Sequence, residues 1–220
     1  MSLRLKEIKD FNSREFKKSL IIYQSSFPPN ETRPIEKVIE MLKDDKNYHI
    51  LIAVNNDSVL GISLFYVFKN LKVGFLDYMA VSPNHQRKGI GTELFKFTIK
   101  KCNSELSDVN RLLLEVQKEN ISDLEESRKR KDRIRFYTRL GVKVLDGVNY
   151  LLPSQNDGDL EEMYLMIKPL ATINSLSKLT VFQYVDALYS KIYQYEKSHE
   201  LLTRIFKNIP TTVNICDLGI

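Results

Sequence analysis

The sequence predicts an α/β protein of the α+β kind, with helices flanking a mixed, mostly antiparallel central sheet. Two observations carry this. Three β-rich runs, Tyr48 to Val54, Val59 to Phe68 and Val73 to Val81, follow one another with links too short for a crossover helix, so they form an antiparallel meander. Segments with apolar residues at helical spacing stand before and after the meander, not between its strands.

Leu3, Leu5 and Glu7-Ile8 open with the short alternating pattern of a first strand. Asn12 or Ser13 can cap a helix running to about Ser25, with Phe16, Leu20 and Tyr23 on its apolar face. Phe27-Pro28-Pro29-Asn30 breaks that helix, because proline cannot continue the hydrogen-bond ladder. Pro34 suits the first turn of a second helix, whose apolar face is Ile35, Val38, Ile39 and Leu42. Asn55-Asn56-Asp57 is the turn of the first hairpin, and Ser82-Pro83-Asn84 ends the third strand. A helix runs from the following loop to about Lys101, with Ile90, Leu94 and Phe97 on one face. Arg111 to Val116 is a strand, and Ser122 to Leu140 a helix with Gly141 as its stop. Val142 to Leu145 and Met163 to Ile167 supply the last strands, joined by the polar segment Ser154 to Asp159. An amphipathic helix marked by Val181, Val185, Leu188, Ile192 and Tyr195 continues to about Phe206.

A chain of 220 residues, 43% hydrophobic and 28% charged, supports one domain with a modest appendage. We place the domain at residues 1–170 and a helical extension at 171–220. The extension packs on its own domain, shapes a substrate site, or forms a homodimer contact through Tyr184, Tyr189 and Tyr193. No apolar run approaches the roughly 20 residues that span a bilayer, and Met1 to Asp10 has no signal-peptide core, so the expected compartment is the cytoplasm. Cys102 and Cys216 read as buried free thiols. His49, His85 and His199 belong to no cluster with metal-ligand spacing, and no metal is expected. The formal charge of +5 favours anionic partners, and much of it lies between Arg128 and Arg139. No aromatic-plus-basic surface motif recurs beside that run, which argues against nucleic acid and for a solvated helix face.

Chemistry concentrates in Leu76 to Thr92. Here a strand leads through a loop rich in donors to a helix start. Glycines at 89 and 91 let the backbone approach a ligand without Cβ clashes. Free N–H groups and the positive helix end favour phosphate, and Arg87 and Lys88 add charge. The loop lacks the Walker lysine motif, and Leu94 stands where the dinucleotide fingerprint needs its third glycine.

The arrangement Gln86-Arg87-Lys88-Gly89-Ile90-Gly91, preceded by Ala80-Val81-Ser82-Pro83, resembles that of the GNAT superfamily of N-acetyltransferases. Phe136-Tyr137-Thr138-Arg139-Leu140-Gly141-Val142 is similar to the superfamily's second motif, and the resemblance covers roughly residues 3 to 168. It implies a sheet in which Val73–Val81 splays from Arg111–Val116. It also implies an acetyl-coenzyme A co-substrate and transfer of the acetyl group to an amine of a small molecule or protein. A GNAT-fold module that binds acyl-coenzyme A without turnover, as sensor or scaffold, is the alternative.

On this resemblance the backbone of Met79, Ala80 and Val81 pairs with pantetheine. N–H groups of Gln86, Arg87, Lys88, Gly89, Ile90, Gly91 and Thr92 hold the pyrophosphate. Tyr137 protonates the departing thiolate. Asp77 or Glu115 takes the amine proton, directly or through water, unless either is a structural ion-pair partner. The segment 27–34 walls the acceptor site in relatives, where Glu31 would favour a cationic amine and Arg33 a carboxylate. Many relatives carry a pantetheine-contacting asparagine where this chain has Arg130. That role is therefore not transferred, and Arg130 and Arg133 become candidates for a cofactor phosphate.

Overall fold

The computed structural model describes residues 3–27, 31–106, 109–152, 161–194 and 199–219. They fall into two compact units, Met1–Val109 and Asn110–Ile220.

The first unit holds strands β1 (Arg4–Glu7), β2 (Tyr48–Asn55), β3 (Ser58–Phe68) and β4 (Val73–Val81), paired antiparallel in that order. Helix α1 (Arg14–Ser26) starts at Ser13, whose hydroxyl accepts the Phe16 N–H at 3.2 Å. Its buried face is Phe16, Ser19, Leu20, Ile22 and Tyr23. Helix α2 (Ile35–Asp44) takes Pro34 as its cap, one residue outside the first turn, and buries Val38, Met41 and Leu42. The β2–β3 hairpin closes on Asn56, which adopts the left-handed conformation (φ 51°) that asparagine tolerates. Helix α3 (Ile90–Glu105) buries Leu94, Phe95, Thr98 and Cys102, so Phe95 takes the inward place expected of Phe97. Cys102 is a fully buried free thiol, and burial pushes its pKa up; Cys216 is free and half-buried.

Lys9, His49 and Lys101 converge on Glu7 of β1 at 2.6, 2.8 and 3.0 Å. Burial opposes its charge, but the hydrogen bonds from these three side chains win and hold the carboxyl at about 2. A carboxyl depressed in the folded state stabilises above its unfolded value and loses that contribution as pH falls through the folded one. The melting temperature is therefore expected to drop between about pH 4.5 and 2, by the equivalent of at most about 3 kcal/mol from this group. Glu7→Gln should flatten that part of the profile in a pH series of thermal melts.

The second unit pairs β5 (Arg111–Gln117) with β8 (Glu161–Pro169), and β8 with both β6 (Lys143–Leu145) and β7 (Tyr150–Leu152). Helix α4 (Leu124–Arg139) follows β5. The chain then adds β9 (Ser175–Ser177), α5 (Lys178–Ala187), a π turn at Leu188–Ile192, α6 (His199–Asn208) and β10 (Thr212–Cys216). Strand β10 pairs with β6 at Ile215↔Leu145 and with β9 at Val213↔Leu176, which stitches the extension into this unit's sheet. The continuous helix expected from Val181 to Phe206 is thus broken into α5, a π turn and α6, and Tyr195 lies outside the described residues. So do Pro28 to Asn30 and Ser154 to Asp159. No helix among the described residues is long and apolar enough to cross a membrane.

Candidate active site

Strand β4 delivers the chain to the loop. Ser82 N–H donates to Leu60 O at 2.8 Å, and the Gln86 side chain donates to Val81 O at 3.1 Å, so the exit from the strand is fixed at both ends of the turn. Arg87 (φ 59°) and Gly89 (φ 81°) are both left-handed. This reverses the chain sharply enough to start α3 at Ile90. Gly89 is the helix cap, and no side chain bonds to the first turn. The N–H groups of Ile90, Gly91 and Thr92 have no helical acceptor, while Gln86 to Gly89 are exposed. Uncapped amides at a helix N-terminus attract an anion through hydrogen bonds and the helix dipole together. Met79, Ala80 and Val81 are half-buried and pair on one edge with Ser63, Ile62 and Gly61. A Cβ on Gly61 would sit 2.9 Å from Ala80 O, so glycine there lets β4 lie where it does.

A bulge interrupts β4 at Asp77. Tyr78 faces Leu64 and Leu76 faces Phe65, which leaves Asp77 as the extra residue and re-aims its side chain. Its carboxylate accepts from Arg33 Nη1 and from Tyr48 Oη, each at 2.5 Å. Both side chains of the ion pair are only 3% exposed. Tyr23 Oη accepts the Arg33 N–H at 2.9 Å and donates to Arg33 O at 3.1 Å. The Arg33 guanidinium lies 5.3 Å above the Tyr78 ring, and Tyr78 Oη donates to Glu31 O. Burial foremost raises the phenol pKa of Tyr23, Tyr48 and Tyr78. Sequence reasoning assigned Asp77 and Arg33 separate tasks; the fold joins them. The segment after α1 is bound to β4 through this cluster, and Glu31 is held by its backbone carbonyl.

In the second unit, Asp123 caps α4 by accepting from Glu125 N and Glu126 N. At the other end, Val142 N donates to Tyr137 O (3.1 Å) and Gly141 N to Thr138 O (2.9 Å), with Gly141 left-handed at φ 74°. This is the Schellman closure, and it explains why a glycine follows the tyrosine at that spacing. Tyr137 is 8% exposed. Burial pushes its phenol up to about 12, with Arg133 pulling the other way, so it carries its proton throughout the neutral range.

Arg130 and Arg133 are drawn out of the basic run. Arg130 donates to Lys118 O and pairs with Glu161 at 3.1 Å, while Arg133 donates to Gln117 Oε1 at 2.7 Å. These bonds tie α4 to the end of β5. Arg128, Lys129, Arg135 and Arg139 are exposed.

Glu115 accepts from Tyr150 Oη on one oxygen and from Tyr193 Oη on the other. Tyr184 and Tyr189, offered from the sequence as residues of a homodimer contact, are buried within this unit; Tyr184 accepts from Arg111, and Tyr189 donates to Leu151 O. Sequence reasoning did not single out Tyr48, Tyr78 or Tyr150, whose partners lie far off in the chain. The β-bulge that would have flagged Asp77 leaves no mark in residue types. No group of three or more His, Cys, Asp or Glu is placed to hold a metal among the described residues.

The model of the acetyltransferase (GNAT) family matches residues 16–142. No curated protein sequence matches the chain. Among solved structures, a GNAT-family protein from Bacteroides thetaiotaomicron superposes with a TM-score of 0.68 at 23% identity, covering 88% of this chain and 99% of that one. The ribosomal-protein-S18-alanine N-acetyltransferase of Escherichia coli gives 0.55 at 20% identity, covering 78% and 96%. A Bacillus subtilis acetyltransferase in complex with CoA gives 0.51 at 16% identity, covering 77% and 100%. These three likenesses are of fold.

Proposed function

The chain belongs to the GNAT acetyltransferase family, and from that premise we propose that it moves the acetyl group of acetyl-coenzyme A directly to the primary amine of a small molecule or protein. The enzyme is an acyltransferase of the N-acetyltransferase type, and the family uses acetyl-coenzyme A as donor. One observation carries the cofactor's place. The N-terminus of α3 directly follows β4, lacks a side-chain cap and is preceded by the exposed residues Gln86 to Gly89. That is a ready seat for a pyrophosphate. The CoA bound by the Bacillus subtilis protein, which shares the fold, supports the same reading. Met79, Ala80 and Val81 then offer backbone groups to pantetheine.

The thioester is already activated, so the protein's tasks are orientation, a neutral amine and a proton for the departing thiolate. Tyr137 supplies that proton. Of the two carboxylates, Asp77 is charge-balanced by a buried guanidinium and holds the loop after α1 to β4. Glu115 is oriented by two neutral phenols and is the base. Pairing of β10 with β6 supports an extension, 171–220, that packs on its own unit.

Calorimetric titration with coenzyme A tests the reading. The wild type is expected to saturate at one site, and Gly61→Ala to bind about tenfold more weakly. The added methyl, 2.9 Å from Ala80 O, forces that carbonyl out of the position it would offer to pantetheine; the overpacking itself costs the fold about 1–3 kcal/mol, read separately from a melt. A folded wild type with no saturable heat would sink the assignment. Saturable binding without thiol release from acetyl-coenzyme A over a panel of amines would leave a sensor or scaffold.

A further inference from the structure

With Tyr184 and Tyr189 buried, what the C-terminal extension shows to solvent is a different set of side chains. Leu179 on α5 is 60% exposed and Phe206 on α6 is 37% exposed. Half-buried Phe182 lies about one helical turn from Leu179, and its ring packs against that of Phe206 with centroids 4.6 Å apart. The Lys178 ammonium stands 4.5 Å from the centre of the same Phe206 ring. Apolar side chains scattered singly over a surface are ordinary; three gathered at one place make a patch.

Beside the patch runs the outer face of α6. Leu201, Leu202 and Ile205 are buried, so the opposite face carries the exposed residues Glu200, Thr203 and Lys207. Seven residues are close to two helical turns, so Glu200 and Lys207 stand on one line, about 10 Å apart along the axis and too far apart to pair with each other. The acid comes first and the base last. Arg204 belongs to the other flank, where the Glu162 carboxyl is lowered by Lys118 foremost and by Arg204 in addition.

A face with an acid at one end and a base at the other complements itself when turned end for end. We infer that the outer face of α5 and α6 is the contact between two copies of this chain, with α6 antiparallel to its counterpart. A two-fold axis crossing the pair between positions 203 and 204 sets Glu200 opposite the partner's Lys207, and the symmetry repeats the ion pair at the other end. The same rotation keeps the α5 flank of both copies on one side, so Leu179, Phe182 and Phe206 meet their own counterparts. One operation thus brings apolar side chains together and opposite charges together, as an isologous contact requires. The patch supplies affinity, and the exposed ion pairs fix the register. An anionic lipid surface or an acidic segment would instead meet a like charge at Glu200. The inference stands independently of the function proposed above.

Sedimentation velocity over a concentration series reaching about 100 µM is the test, since contacts of so few residues associate weakly. The wild type is expected to pass from monomer to dimer along the series. Lys207→Glu and Glu200→Lys each set like charges face to face at both ends, and each should raise the dissociation constant about tenfold or more. Mixed together, these two single variants should pair with each other, and the double exchange should restore self-association. Leu179→Ser should weaken the dimer with the charges intact, and it serves in place of a charge reversal that melts too low to assay. A wild type that stays monomeric throughout overturns the inference; flotation of that monomer with phosphatidylserine vesicles would assign the patch to a lipid surface. A dimer indifferent to all three single substitutions uses another face and also overturns it, as does a double exchange that dimerises no better than either single variant.

Discussion

A Tyr137→Phe protein is expected to bind coenzyme A like the wild type and to release thiol on the order of 10² to 10⁴ times more slowly. The substitution deletes one oxygen and keeps a ring that packs against Phe136 at 5.1 Å, so folding should be nearly untouched. The phenol is suited to donation because burial lifts it to about 12; at neutral pH it is always protonated. A decline in rate on the alkaline side well below that value would report another group. The backbone at this position is also fixed, since the Tyr137 carbonyl accepts the Val142 N–H that closes α4. Thiol release and calorimetry on the same preparations check the prediction. Unchanged turnover would remove Tyr137 as the donor.

Asp77→Ala is expected to cost about 3–5 kcal/mol of stability, the range for removing one partner of a buried ion pair. The carboxylate takes both the Arg33 guanidinium and the Tyr48 hydroxyl, and the pair is nearly closed to solvent. Deleting it takes the counter-charge from a buried cation and an acceptor from a buried phenol. Replacing the pair together, as Asp77→Leu with Arg33→Met, should recover much of the loss, because apolar groups of similar volume often substitute for a buried pair at little cost. Urea midpoints of the wild type and these two variants measure this. An Asp77→Asn protein with wild-type midpoint and abolished turnover would give the carboxylate a chemical role instead.

The elements with local signals were legible. Ser13 before Phe16, Asn56 in the hairpin and Gly141 after α4 act through their own neighbours, and each does in the fold what its chemistry predicts. Glu125 with Lys129 and Glu126 with Arg130, four residues apart on α4, are of the same kind. The start of α3 after the loop was readable, because a glycine that can turn left-handed sits directly before the apolar helical spacing.

The pairings were not legible. Arg33 and Asp77 are 44 residues apart, and Glu115 and Tyr193 are 78 apart; no spacing rule connects them. The bulge that turns Asp77 inward is set by register with β3, a property of two strands at once. Strands β7 and β9 have three residues each, too short for alternation to show. Strand β10 could have been found, since Val213 and Ile215 alternate with polar neighbours. Composition marked the basic run as a solvated face, which holds for Arg128, Lys129, Arg135 and Arg139, but it could not show that Arg130 and Arg133 have fixed partners on β5, at its end and on β8.

The pairing of β10 with β6 makes the second unit a late assembler on the ribosome. Residue 145 ends β6 and residue 216 ends β10, 71 residues later, so at roughly 5–20 residues per second the nascent β6 edge waits on the order of 4–14 s for its neighbour. During that interval its backbone groups stand open to any other extended chain. Messages truncated within the last dozen codons before that strand are complete would therefore yield a product prone to self-association, even though every residue of the 16–142 family segment had been made.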